Sequence, residues 1–456
     1  MRRGRFPRNL GSERRREHLA RSSSAVTSRY RSPLEASAWS ALLILAVLQL
    51  GCERSGEPGA DWPQFRGSGG LGKTLAVGLP ESWSADSPNV RWRVEIPGSG
   101  NSSPIVAGGR VYLTTAVQDG DRVQRSVLAL DGKSGERLWQ TNVVDEPLEA
   151  THRLNTYAAP TPVTDGRTVF AFFGATLAAV DRSGEILWSK TVDPEYHEFS
   201  HYGAASSAVL TERAVVVARD REDLRKLGWL GAFDRRSGEE IWRRTWDDTC
   251  CSYATPVVLE RGGRQEVLFT HAARITSYDS ETGATLWSQA LKHNQPVTTP
   301  SIDGDLLAVF TGADRVRNGA MLRLTGSGAD TEVEILWQTQ RLIPQVASPI
   351  LADGLLYTVS DNGVLVCYDA STGAVHWQKR LQGAGFRPSL LAGDGKIYAL
   401  DSYGAASVVK ADSEFELIAE NDLGEGGNAS PAYGAGCLLL RTERSLFCIE
   451  RRPGEP

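Results

Sequence analysis

Helical periodicity is what this 456-residue sequence most lacks: no long stretch repeats apolar residues at the i, i+3, i+4 spacing that gives a helix one buried face. An all-β chain is the expectation. Cysteine is scarce, six in all, too few for a dense disulfide framework in a chain of this length. Methionine is scarcer: Met321 is the only one after Met1, so a later start would need another codon, for instance at Val26. Beyond residue 52 basic charge is short. The first 52 residues hold ten Arg against three Glu, so a formal charge of −5 for the whole leaves about −12 on the rest. Such a body repels phosphate, which excludes nucleic acid and anionic lipid surfaces as partners of the folded part.

Long hydrophobic runs are missing but for one. SAWSALLILAVLQL, ending at Leu50, is too short to span a bilayer comfortably and follows an Arg-rich stretch, the pattern of a secretion signal. Its ending, Leu50-Gly51-Cys52, resembles the lipobox of bacterial lipoproteins, with Gln49 where that pattern usually has Leu. The resemblance implies lipidation at Cys52, an exported protein of the periplasm or cell envelope, and membrane attachment through that lipid alone. The expected organisation is an export segment over 1–52, a linker over 53–61, a repeat domain over 62–450 and a tail over 451–456.

What is abundant is glycine (46) and tryptophan (12). They recur together: DGKSGERLW ends at Trp139, DRSGEILW at Trp188, DRRSGEEIW at Trp242, DSETGATLW at Trp287 and DASTGAVHW at Trp377, with a longer version, LTGSGADTEVEILW, ending at Trp337. Each is preceded by a segment such as SSPIVAGGRVYLTTA, which reads as a strand, a tight turn at Gly and an alternating strand. Eight such segments begin near Ser102, Pro160, Ser206, Ala254, Thr298, Ala347, Arg387 and Ala429. A unit of four antiparallel strands, A to D, in about 45 residues is the size of a propeller blade. One blade cannot bury both of its faces, so eight must stack around an axis and close.

The Asp and Gly build the C-to-D turn, and the Trp of strand D offers a flat surface to the neighbouring blade, with an indole N–H able to reach a carbonyl. The motif is therefore structural. Trp92 has no strands before it, and the last blade stops at Ile449 without a strand D, so the Trp92 segment is expected to complete the eighth blade and remove two sheet edges. Leu417 stands where blade seven would have its Trp. Cys367 and Cys448 occupy positions held by Ala129, Ala179 and Ala232, as small strand residues would; an oxidised Cys437–Cys448 pair across the last hairpin is the alternative, left open.

With these motifs on the page, the chain resembles the quinoprotein-like eight-bladed propellers, over about residues 62 to 450. DWPQFRG at 61–67, NTYAAPTPVTDG at 155–166 and the ending LLLRTERSLFCIE are similar to exported propellers of planctomycete-type bacteria. The family includes pyrroloquinoline quinone (PQQ) dehydrogenases and non-enzymatic BamB-type lipoproteins. The repeated residues build the blade, so the resemblance speaks for fold more than for quinone binding.

Function is expected on the face where the long D-to-A loops emerge with the B-to-C loops. It gathers His152, Arg153, Asn155, Tyr157, His197, Glu198, His201, Tyr202, Cys250, Cys251, Tyr253 and His293 into a polar, aromatic mouth. His197 to His201 spell HExxH, but Pro194 just before leaves little room for the helix that a zinc protease needs, so no metal is expected. Adjacent Cys250 and Cys251 read as a strained disulfide or two loop thiols; the resemblance implies the alternative of a disulfide over a quinone, with Ca²⁺ bound by a carboxylate and amide set that these residues do not supply. The sequence thus points to a monomeric, non-enzymatic binding or assembly scaffold for an envelope protein or a polymeric ligand, with no cofactor. A PQQ- and Ca²⁺-dependent alcohol or sugar dehydrogenase is the alternative.

Overall fold

A computed structural model describes residues 61–196, 202–220, 226–249, 251–312, 316–452 and 454. They form eight four-stranded antiparallel sheets around one axis. Blade 1 comprises Ile105–Ala107, Arg110–Asp119, Arg122–Asp131 and Arg137–Pro147. Blades 2 to 7 follow over 163–191, 209–246, 257–290, 301–339, 350–380 and 391–422. Blade 8 is built by both ends: Val90–Glu95 pairs outside Ser445–Ile449, with Trp92 opposite Cys448 and Glu95 opposite Ser445. The ring closes as the unpaired Trp92 segment requires. A disulfide joins Cys437 to Cys448 inside this blade, resolving the open alternative in favour of the pair.

The repeated motif explains how blades adhere. In the C-to-D turns of blades 1 to 4 and 6 the Asp side chain caps the turn, as Asp131 Oδ1 does in accepting the amides of Lys133 and Ser134. The Gly that follows takes a positive φ, +74° at Gly135, which a residue without Cβ adopts at little cost. It also lies beneath the tryptophan of the preceding blade. A Cβ on Gly135 would sit 2.7 Å from Trp92, on Gly184 2.9 Å from Trp139, on Gly238 2.7 Å from Trp188, on Gly283 2.6 Å from Trp242 and on Gly373 2.6 Å from Trp337. Each of those indoles donates Nε1–H to a carbonyl of the same turn: Gly132, Arg182, Arg235, Ser280 and Ala370, at 2.8–3.1 Å. Trp377 donates to Asp412 O at 3.0 Å and meets the Phe415 ring, 5.1 Å away, where the other turns have Gly.

Two blades depart from the pattern. In blade 7 the register sets Ala419, not Leu417, opposite the strand C position that Trp faces elsewhere; Leu417 sits two residues earlier, across the bulge. The space left by Ala419 belongs to an apolar cluster that takes in Trp83, whose amide donates to Asn421 Oδ1 at 2.7 Å. In blade 5 the lengthened turn carries a 3-10 turn, Gly328–Asp330, and Trp287, which faces it, is buried with its Nε1 lacking a partner among the described residues. The blade 4–5 contact relies instead on Glu266, a fully buried carboxylate that accepts from Gly328 N at 2.9 Å.

A second device was not foreseen from sequence. In seven of the eight blades the Ser or Thr at the head of strand A accepts, through its hydroxyl oxygen, the backbone N–H of the equivalent residue in the blade before. The links run Ser103 to Thr161, Thr161 to Ser207, Ser207 to Thr255, Thr299 to Ser348, Ser348 to Ser389, Ser389 to Ser430 and Ser430 to Ser103, all at 2.9–3.1 Å. Seven hydrogen bonds thus make an inner girdle, broken once, between Thr255 and Thr299.

The segment before Trp92 crosses the axis on the face of the A-to-B turns. Trp62 bridges Val106 of blade 1, Arg66 reaches carbonyls of Thr299 and Pro349 in blades 5 and 6, and Thr74 N donates to Ala392 O in blade 7. One end of the central channel is therefore crossed by the chain's own DWPQFRG motif.

Candidate functional site

The opposite face carries the D-to-A loops, and those of blades 1 to 4 are tied to one another. Asn155 Nδ2 donates to Tyr202 O at 2.8 Å and to Ala204 O at 3.1 Å, and His152 N also donates to Tyr202 O. The next loop is fixed likewise, Tyr253 N donating to Pro296 O at 2.7 Å. Gly203 permits the close approach: its φ is +79°, and a Cβ there would lie 2.5 Å from Thr151 Oγ1.

An aromatic row results. The rings of His152 and Tyr202 are 5.8 Å apart and those of Tyr202 and Tyr253 6.1 Å apart, edge to face, with Tyr202 43% exposed. Arg153 beside it is exposed. Beneath lies a charged anchor: buried Arg125 pairs with Glu146 at 2.8 Å and with Glu149, and its Nε donates to Tyr157 O. Burial raises the phenol of Tyr157, and its hydroxyl donates to Glu149 O, so this tyrosine braces the loop rather than lining it.

Next to Tyr202 and Tyr253 a small cleft opens, walled by Gly203–Ser206 and by Arg219 and Asp220 from the end of blade 3 strand B. Its carboxylate, Asp220, and Asp193 behind it are already engaged. Asp220 accepts Trp246 Nε1–H at 2.8 Å and Ser252 N–H at 2.7 Å, while Asp193 accepts Trp229 Nε1–H and pairs with Arg219 at 3.0 Å. Ser206 Oγ is buried in the wall without a partner among the described residues.

His293 is not part of the mouth. It is 3% exposed and its Nε2–H donates to His271 O at 2.8 Å, because its loop folds inward against blade 4. His271, fully buried, shares a 2.9 Å hydrogen bond with Tyr278 OH and meets the Trp246 ring at 4.4 Å. Burial drives its pKa down to about 3 and that of His293 also down, so both rings are neutral. Cys251 is buried with a φ of +70°. Cys52, His197, Glu198, His201 and Cys250 lie outside the described residues. Among the described residues no group of three His, Cys, Asp or Glu is placed to hold a metal.

Of the residues expected on this face, the structure brings His152, Asn155, Tyr202 and Tyr253 together, and it sets beside them Asp193, Arg219 and Asp220, which the sequence reading did not name. The missed signal was available: Trp229 and Trp246 stand outside the repeat register, and both give their N–H to those carboxylates.

A family model described as outer membrane protein assembly factor BamB matches residues 76–223, 226–347 and 331–414. A curated relative of that name from Yersinia pestis is 21% identical over 371 residues, 79% of this chain and 78% of the relative. The crystal structure of BamB from Moraxella catarrhalis is similar with a TM-score of 0.55 at 14% identity, covering 78% of this chain and 98% of that one. The quinohemoprotein alcohol dehydrogenase from Comamonas testosteroni is similar with a TM-score of 0.61 at 11% identity, covering 91% and 85%. These structural likenesses concern the fold, which the two share whatever their activities. With three-quarters of its length matched by one family model, the chain belongs to the outer membrane protein assembly factor BamB family.

Proposed function

We propose that this protein is an exported, non-enzymatic scaffold of the cell envelope, anchored through a lipid on Cys52, that binds an envelope protein or polymeric ligand with its D-to-A loop face. The observation that carries the reading is the His152–Tyr202–Tyr253 row, held rigid by loop-to-loop hydrogen bonds beside an exposed Arg153. Preordered aromatic surface with a cationic neighbour suits protein recognition, since rigid rings contribute contact area with little entropy lost on binding.

The quinone alternative fares less well on chemistry. A quinone with Ca²⁺ asks for uncommitted carboxylates at the mouth, whereas Asp193, Asp220, Asp248 and Glu149 are each bonded to an indole, an amide or an arginine. These residues do not fit that group, and no redox step is derived through it.

Photo-crosslinking tests the proposal. A benzophenone amino acid at Tyr202 or Arg153 is expected to trap an envelope protein in the native host, and one at Leu138 on the outer edge of blade 1 is not. Equal trapping at all three positions would remove the loop face from the argument. Quinone-dependent dye reduction by the purified protein with PQQ and Ca²⁺ would restore the dehydrogenase reading.

A further inference from the structure

The cleft beside Tyr202 and Tyr253 holds a donor and an acceptor that the protein itself leaves unused. Strand pairing brings them together: the blade 3 register sets Val209 opposite Val216 and Leu210 opposite Val215, and the same register, continued along the chain, sets Ser206 opposite Arg219. Both line the cleft. Ser206 is 7% exposed, and its Oγ has no partner among the described residues. The Arg219 guanidinium lies over the Tyr196 ring, 5.5 Å from its centroid, and Asp193 meets it at Nε, 3.0 Å away. No described residue accepts a hydrogen bond from its Nη groups, which leaves them to the cleft. Around these polar atoms the wall is apolar, with Phe172, Ala204 and Ala218.

Charge selects against an anion, because among the described residues one guanidinium, Arg219, faces two carboxylates, Asp193 and Asp220. A cation gains little either, since Asp220 already receives Trp246 Nε1–H and Ser252 N–H. The group that fits is neutral and short. It needs a carbonyl for the Arg219 Nη–H, an N–H for Ser206 Oγ and a methyl for the apolar wall. A secondary acetamide has all three, whereas the carboxamide of Asn or Gln has no methyl. Beyond the cleft the surface is aromatic: Tyr253 lines the cleft itself, the 43% exposed Tyr202 ring is 6.1 Å from it, and His152 is 5.8 Å further along. The C–H groups of a pyranose ring carry partial positive charge, which the negative face of such a ring attracts. A row of rings leading away from an acetamide-sized cleft therefore suits several sugars in succession.

We infer that the cleft receives the acetamido group of an N-acetylated amino-sugar polymer, with Arg219 Nη–H donating to the carbonyl, Ser206 Oγ accepting the amide N–H, and the adjoining sugar rings lying along Tyr253 and Tyr202. The inference rests on the reading of the loop face as the binding surface and names its ligand as the polymeric one. Its walls are fixed beforehand: Trp229 Nε1–H holds Asp193, and Trp246 Nε1–H holds Asp220. Little ordering is then left for the ligand to bring about.

Titration calorimetry of the full protein with N,N′,N″-triacetylchitotriose is expected to show saturable binding. Cellotriose, with the same rings and hydroxyls in place of the acetamides, is expected to bind at least about tenfold more weakly, since it leaves the cleft's polar atoms unpaired. Ser206→Ala weakens the chitotriose about fivefold, the loss of one hydrogen bond. Tyr202→Ala, on the exposed row, weakens it as well and serves if Ser206→Ala does not fold. No binding of chitotriose at millimolar concentration, or equal affinity for cellotriose, overturns the inference. A protein crosslinked at Tyr202 without any chitotriose binding sinks the glycan and leaves the loop face standing, and chitotriose binding that neither substitution alters sinks the cleft.

Discussion

Trp92 lies flat over Gly135: a Cβ on that glycine would come within 2.7 Å of the indole, whose Nε1 donates to Gly132 O at 3.1 Å. The tryptophan and the glycine come from different copies of the repeat, and here from opposite ends of the ring closure.

Gly135→Ala is therefore expected to carry two costs, a positive φ and an overlap with Trp92. Together they come to about 3 kcal/mol or more. Gly109→Ala, at a φ of +75° with nothing within 4 Å, carries the first alone, about 1 kcal/mol. Urea unfolding of both variants measures the difference, and equal losses would mean that the indole does not rest on the glycine.

The girdle offers a second test. Ser389→Ala removes the oxygen that receives Ser348 N–H at 3.1 Å and leaves that buried amide without an acceptor. Destabilisation of about 1–3 kcal/mol is expected, with faster hydrogen exchange at the Ser348 amide. Unaltered exchange at that position would show that the link carries no weight.

Reduction of Cys437–Cys448 opens a short loop, 11 residues apart in sequence, for which chain entropy gives about 3 kcal/mol. The bond lies inside the blade that both chain ends build, so its loss is expected to lower the unfolding midpoint of the whole ring. Comparing midpoints with and without reductant checks this, and coincidence of the two would argue that the bond does not form in solution.

Acid is expected to act in two windows. His271 has its folded pKa lowered to about 3 from 6.5, so its contribution is full above pH 6.5 and declines as the pH falls toward 3. The turn aspartates come later. The Ser371 hydroxyl holds Asp369 down to about 2, the Ser134 amide lowers Asp131 and the Ser183 hydroxyl lowers Asp181. Stability from these groups is present above about pH 4 and lost as the pH falls through their lowered pKa values, about 2 for Asp369. His271→Gln should flatten the stability curve between pH 6.5 and 5 while leaving the lower limb in place. A wild-type curve flat to pH 4 would contradict the assignment.

How far the sequence could be read depended on whether a signal was repeated. The blade count, the strand order and the closure by Trp92 were legible, because each recurring Asp, Gly and Trp reports the same local geometry and only a ring satisfies all of them. Leu417 was misplaced because the blade 7 turn is one residue longer, Val408 pairing with Ala419 where Cys367 pairs with Trp377, and without the Gly that marks the other turns the extra residue leaves no sign in a spacing count. His293 was read as a mouth residue because loops are polar by default; whether a loop residue faces outward depends on how its loop folds back.

By itself, then, the sequence determined an eight-bladed, self-closing propeller, since strand periodicity and turn chemistry act over a few residues and survive in any copy of the repeat. Only the tertiary structure decided which tryptophan meets which glycine, that eight hydroxyl positions align into a girdle broken at Thr255–Thr299, that Arg66 crosses the axis, and that the cleft carboxylates are already taken. Those relationships join residues some 40 to more than 300 positions apart, and they exist only once the ring has brought its two ends together.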